Sequence, residues 1–111
     1  MATSMALTNP IAATIESIDE VVHQKVRLSI LSALVAADDA DFRTLKLALG
    51  VTDGNLSIHL KKLEDAGYVE VRKEFVEKKP RTTYTITDAG RAAFVAYLTA
   101  LEQIVEAAKK G

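Results

Sequence analysis

The stretch Gly54–Val71, GNLSIHLKKLEDAGYVEV, decides how the rest of the chain is read. Leu56, Leu60 and Leu63 recur at i, i+4 and i+7, the spacing of one buried helix face. Asn55, Ser57, Ile58, Lys61 and Lys62 fall on the remaining sides, where they are available to a partner. Gly67 stands where helices commonly close on a left-handed residue, and Tyr68-Val69-Glu70-Val71-Arg72 then takes up the period-two alternation of a half-buried strand. The reading is a helix, a sharp stop and a strand, in that order.

Upstream, Thr52 is a good N-cap and Asp53 suits the positive first turn, so this helix is expected from about Asp53 to Ala66. Leu45, Leu47, Ala48 and Leu49 belong to a brief helix closed by Gly50, with Val51-Thr52-Asp53 as the turn and Ala40-Asp41-Phe42 as a very short strand before it. Val26, Ile30, Leu31 and Leu34 make an earlier helical stripe that fades in Ala36-Ala37-Asp38-Asp39. Asn9 and Pro10 read as an N-cap followed by a first-position proline, and Ile11, Ile15, Ile18 and Val22 predict a first helix running to about Val22. His23-Gln24-Lys25 is the break between the two.

Downstream, strands Tyr68–Phe75 and Thr82–Ile86 flank Val76-Glu77-Lys78-Lys79-Pro80-Arg81. That segment is too long for a two-residue turn and is expected to project as a basic loop. Thr87 caps a last helix from Asp88 to about 109, where Phe94, Leu98, Leu101, Val105 and Ala108 recur at steps of 4, 3, 4 and 3. Residues 1–111 therefore read as a single domain, mainly α with a small β-hairpin.

Composition narrows the function classes. With 111 residues there is room for one core and no second catalytic domain. An aromatic content of 5% argues against a stacking platform for single-stranded nucleic acid, and zero cysteines exclude disulfides, thiolate chemistry and Cys-ligated zinc. Met1-Ala2-Thr3-Ser4-Met5 lacks the basic start of a secretion signal, and no apolar run reaches membrane-span length, so no membrane partner and a cytoplasmic location are expected. The net charge of −1 hides a split: residues 1–41 carry −4, and residues 42–91 carry +3. An excess that small is not in itself a sign of nucleic acid.

From about Val26 to Leu101, the segments VRLSILSAL, FRTLKLALGVTDGNLSIHLKKLEDAGYVEV, KPRTTYTIT and DAGRAAF resemble the compact winged helix-turn-helix regulators related to the ArsR and MarR families. The match is specific because a helix-turn-helix, a basic wing and a Thr-Asp-Ala-Gly-Arg helix start occur in the right order. The resemblance implies a homodimeric, DNA-binding transcription regulator, more readily a repressor than an activator, acting on a pseudo-palindromic operator in double-stranded DNA. It puts Asn55, Ser57, Ile58, Lys61 and Lys62 on the groove-facing helix and Lys78, Lys79 and Arg81 on the wing. Arg43 and Lys46, on the preceding helix, are weaker phosphate candidates, because that helix usually crosses the backbone.

Each assignment has a plainer competitor. Asn55 has the chemistry to pair bidentately with adenine, or it supports the helix start. Ser57 suits a base or a phosphate. Ile58 replaces an expected polar residue and either touches a thymine methyl or packs at an exposed edge. Lys61 and Lys62 suit phosphates, against simple solvation beside Glu64 and Asp65. Ser57 and His59 stand two apart on a helix and do not face each other, so they make no nucleophile and base, and nothing else implies an enzyme. His23 and His59 are the only histidines, which leaves the ligand sets of metal-sensing relatives unmatched; no metal and no cofactor are expected. No polar cluster marks an effector site.

The terminal stripes, about 10–22 and 88–109, exceed what a small central domain buries and are expected to form a dimer interface. The alternative is packing of Ile11, Ile15 and Ile18 against Phe94, Leu98 and Leu101 within one chain, which would hide the same surface in a monomer. A protein-interaction module without DNA binding is the alternative function.

Overall fold

The computed structural model describes residues 10–110, so Asn9 and the Met1–Met5 reading lie outside the described residues. Helix α1 spans Pro10–Glu16 and stops six residues short of the expected Val22. The apolar spacing continues, but local polar groups break the helix. Ser17 Oγ donates to the Thr14 carbonyl at 2.6 Å, and Asp19 Oδ1 accepts from the backbone N–H groups of Val21 and Val22 at 2.8 and 3.2 Å. Short polar side chains that bond the nearby backbone offer it an alternative to the helix. Val22 is nevertheless fully buried, now from a turn.

Helix α2, Lys25–Ala37, starts on Gln24, whose side chain accepts from Arg27 N, and buries Ile30, Leu31 and Leu34. Strand β1, Asp39–Asp41, lies one residue earlier than expected, because Phe42 opens α3, Phe42–Leu49. The cause is Asp41, which caps α3 by accepting from Thr44 N at 2.7 Å. Gly50 ends α3 in the left-handed region at φ 65.

Helix α4, Asp53–Asp65, is built as its sequence dictates. Thr52 accepts from Asn55 N, and Leu56, Leu60 and Leu63 are buried at 0, 2 and 0% exposure. Gly67 takes φ 79, which lets Tyr68 N reach back to the Leu63 carbonyl at 2.9 Å and turns the chain sharply into a strand. Strands β2, Val69–Val76, and β3, Lys79–Ile86, form an antiparallel pair, and β1 adds to the far edge of β3 in the order β1-β3-β2.

The hairpin differs from the expected six-residue loop. Val76 pairs with Lys79, leaving a two-residue turn of Glu77 and Lys78, both at positive φ, 53 and 66. Such turns match the strand twist but usually carry Asn-Gly or Asp-Gly, a signal missing here. Pro80 lies inside β3 opposite Phe75. It is tolerated because it stands one step from the closing pair, where the alternating ladder points the residue's nitrogen away from β2, and β1 reaches only Thr83.

Helix α5, Asp88–Lys110, starts on Thr87, whose Oγ1 accepts from Gly90 N at 3.0 Å and donates to the Gly67 carbonyl at 2.6 Å. One threonine thereby fixes the end of the α4 turn to the start of α5. The core gathers Val22, Ile30, Leu31, Leu34, Leu45, Leu56 and Leu63, all fully buried, beneath Val69, Tyr84 and Ile86 of the sheet. Each such side chain contributes about 1.5–3 kcal/mol. The radius of gyration, 17.5 Å, exceeds the roughly 13 Å of a compact domain of this length. No helix among the described residues is long and apolar enough to cross a membrane.

Candidate nucleic-acid interface

The outer face of α4 follows from its inner one. With three leucines buried, Asn55, Ser57, Ile58, Lys61 and Lys62 are all exposed, Ile58 by 59%. Asn55 has its backbone N–H tied to Thr52 while its side chain stands exposed on the first turns. The two lysines differ. Lys61 pairs with Asp65 at 3.0 Å and Glu64 at 3.7 Å, and the Asp65 hydrogen bond holds its ammonium above the ordinary lysine value. Among the described residues no carboxylate lies within ion-pair distance of Lys62.

Ser57 and Lys61 border a groove of about 210 Å³ whose other wall is Val71, Lys73 and Tyr84 of the hairpin. Direct cross-strand partners share a face, so Val69, Val71, Lys73 and Phe75 of β2 and Pro80, Thr82, Tyr84 and Ile86 of β3 continue the surface of α4 outward. Lys73 thus belongs to the candidate site, although it lay inside a predicted strand and away from the expected basic loop. Strand parity was the signal that finds it.

On the hairpin itself, Lys78 is in the turn, and Lys79, which begins β3, and Arg81 both stand on the opposite face. There Arg81 Nε meets Asp41 Oδ2 at 3.3 Å. Hydrogen bonds from the Thr44 side chain and backbone, and then Arg81, hold the Asp41 carboxyl below the usual aspartate value. Arg81 therefore anchors the hairpin to the start of α3 and is less available than Lys78 or Lys79. Arg43 is exposed on α3, whereas Lys46 is engaged with Asp53 at 2.7 Å across the turn between α3 and α4.

A set of contacts behind α4 had no signal in local periodicity. Arg27 of α2 donates from Nε to the Val21 carbonyl at 2.6 Å, and its Nη1 lies 3.3 Å from His59 Nδ1. Burial, then the charges of Arg27 and Lys62, push the His59 pKa down, so the ring stays neutral and accepts from Arg27. Tyr68 Oη donates to Asp19, and His23 Nδ1 lies 2.8 Å from Tyr97 Oη. The turn after α1 is thereby fastened to α4, to the base of the hairpin and to α5. Among the described residues no group of three or more His, Cys, Asp or Glu side chains is placed to hold a metal ion.

A buried-backed helix with a polar outer face, joined through a glycine turn to a hairpin that prolongs that face, is what the family comparison matches. The model for the winged helix DNA-binding domain aligns with residues 26–105. This chain belongs to that winged-helix family. An uncharacterized protein from Methanocaldococcus jannaschii is 39% identical over 85 residues, covering 77% of this chain and 92% of that protein. Among solved structures, the fold is similar to a transcriptional regulator homologue from Pyrococcus horikoshii, with TM-score 0.80 and 29% identity over 86% of this chain and 96% of that one. A protein described as a MarR-family transcriptional regulator, from Enterococcus faecalis, superposes with TM-score 0.72 and 27% identity over 94% of both chains. The expected winged helix-turn-helix, mainly helical with a small antiparallel sheet, is the observed fold, and its relationship to MarR-type regulators stands.

Proposed function

We propose that this winged-helix protein is a sequence-specific, double-stranded-DNA-binding transcription regulator that acts as a homodimeric repressor in the cytoplasm and carries out no chemical step. The observation that supports this most is the continuity of one surface, Asn55, Ser57 and Ile58 on the first half of α4, Lys62 behind them and Lys73 on the adjoining face of the hairpin, with Lys78 and Lys79 at the hairpin tip. An α-helix fits the major groove, where its short polar side chains reach base edges. Asn55 and Ser57 take that role, with Ile58 against a thymine methyl. Lys62, Lys78 and Lys79, with Lys61 and Arg81 once their carboxylates are displaced and Arg43 and Lys46 further out, meet phosphates and fix register.

A dimer is supported by what one chain leaves uncovered. Ile18, Phe94 and Leu101 pack onto the core, but Ile15, Leu98 and Val105 remain 53, 39 and 49% exposed along α1 and α5. A second copy covers that stripe, and two recognition helices then read half-sites about one helical turn apart on a pseudo-palindrome.

The test is the salt dependence of duplex binding. Lys62→Ala and Lys79→Ala should each reduce the slope of log K against log salt by about 0.9, the value of one phosphate contact. Absence of duplex binding at low salt would refute the proposal and favour a protein partner for the same surface.

A further inference from the structure

We propose that Phe75, backed by Pro80, is an apolar wedge through which the wing enters the minor groove; the inference rests on the DNA-binding reading and names a residue that the basic-wing picture leaves out. Phe75 is 76% exposed, more than any other large apolar side chain among the described residues. Its position explains this. Val69 and Val71 of the same strand face lie against α4 and the core, and two steps further on the strand has run past the end of that support. Pro80, directly opposite, belongs to the pair type in which side chains approach most closely, so the ring has a rigid neighbour on its own face. The two-residue turn leaves the ribbon no slack for folding the ring away.

Charge identifies the occupant. Lys73 adjoins Phe75 on this face, and Lys78 and Lys79 stand at the tip beyond it, with no ion-pair partner among the described residues. Of the hairpin's carboxylates, Glu70 and Glu74 project to the opposite face, Glu74 with Arg72, and Glu77 shares the turn with Lys78, so the tip lysines outnumber the tip carboxylate two to one. An apolar tip collared by unpaired lysines suits a narrow apolar slot between two phosphate rows. The minor groove, about 6 Å wide, admits a ring but not the whole ribbon, and apolar side chains that enter it unstack a base step and kink the duplex.

The experiment uses the full chain, a fluorescein-labelled duplex selected by that chain from a random-sequence pool, and the same duplex carrying 2-aminopurine at successive minor-groove steps. Phe75→Ala should weaken binding about tenfold or more, as expected for an aromatic ring left unburied, without changing the salt slope. It should also abolish the 2-aminopurine increase at one step, while Phe75→Leu retains most of both. Because the ring is exposed, thermal unfolding of these variants should match the unmutated chain. Unchanged affinity and 2-aminopurine signal in Phe75→Ala overturn the wedge alone, as does a loss confined to self-association in sedimentation. A protein that selects no duplex overturns the reading beneath it.

Discussion

Replacing Gly90 by alanine tests how the wing is held. A Cβ added there meets the Tyr68 carbonyl oxygen at 2.1 Å and its carbon at 2.9 Å, contacts that no side-chain rotation relieves. Helix propensity alone favours the substitution by up to about 1 kcal/mol. Against it, forcing the start of α5 away from β2 carries the 1–3 kcal/mol usual for overpacking. It also disturbs the Thr87 N to Tyr68 carbonyl bond at 3.0 Å and the Thr87 Oγ1 to Gly67 carbonyl bond at 2.6 Å, each contributing about 1 kcal/mol. The net expectation is destabilisation of about 3 kcal/mol, a fall in Tm on the order of 10 °C for a domain of this size. Gly54→Ala is the internal control: it lies in α4 with nothing within 4 Å of an added Cβ, so the same substitution should stabilise, by at most about 1 kcal/mol. Calorimetry at one fixed protein concentration compares the two, since association shifts Tm. A Gly90→Ala protein that melts at or above the unmutated chain would show that the α5–β2 approach is not tight.

Three further outcomes follow from the geometry. Asp41→Ala should lose about 1 kcal/mol of stability through the missing α3 cap, whereas Asp41→Asn, which caps equally well, should stay within about 0.5 kcal/mol; urea midpoints decide. His59 is held below its ordinary pKa in the folded chain, so unfolding takes up a proton and stability, intact above about pH 6.5, falls as the pH drops below it. His59→Gln should flatten the urea midpoint between about pH 7 and 5.5, and an unchanged slope contradicts the assignment. Leu98→Asp should halve the sedimenting mass and weaken duplex binding by about 100-fold through loss of bivalency; a mutant that keeps its mass removes α5 from the interface.

The central helix was legible because every device that defines it is local: Thr52 capping, three leucines at helical spacing, and Gly67 turning left-handed into an alternating strand. The long α5 was legible for the same reason. Two boundaries were not. Ile18 and Val22 kept the apolar period of α1 while Ser17 and Asp19 diverted the backbone into a turn, so periodicity outlived the helix. The hairpin turn carries Glu77-Lys78 where glycine or asparagine usually signals positive φ, so Val76–Arg81 read as a loop, although the outward nitrogen of Pro80 permits the strand. Among candidate residues, exposure of the α4 face followed from the leucines. Which cations are spoken for did not, because Asp41 with Arg81, and Asp53 with Lys46, meet only in three dimensions. The clasp of Arg27 on His59 spans 32 residues and leaves no periodic trace.

The most direct test of the account is fluorescence anisotropy of the full chain against duplex DNA from its own upstream region and a scrambled duplex, at two salt concentrations. The account predicts tight binding that favours the upstream duplex and weakens steeply as salt rises. Failure to bind either duplex at low salt would contradict it.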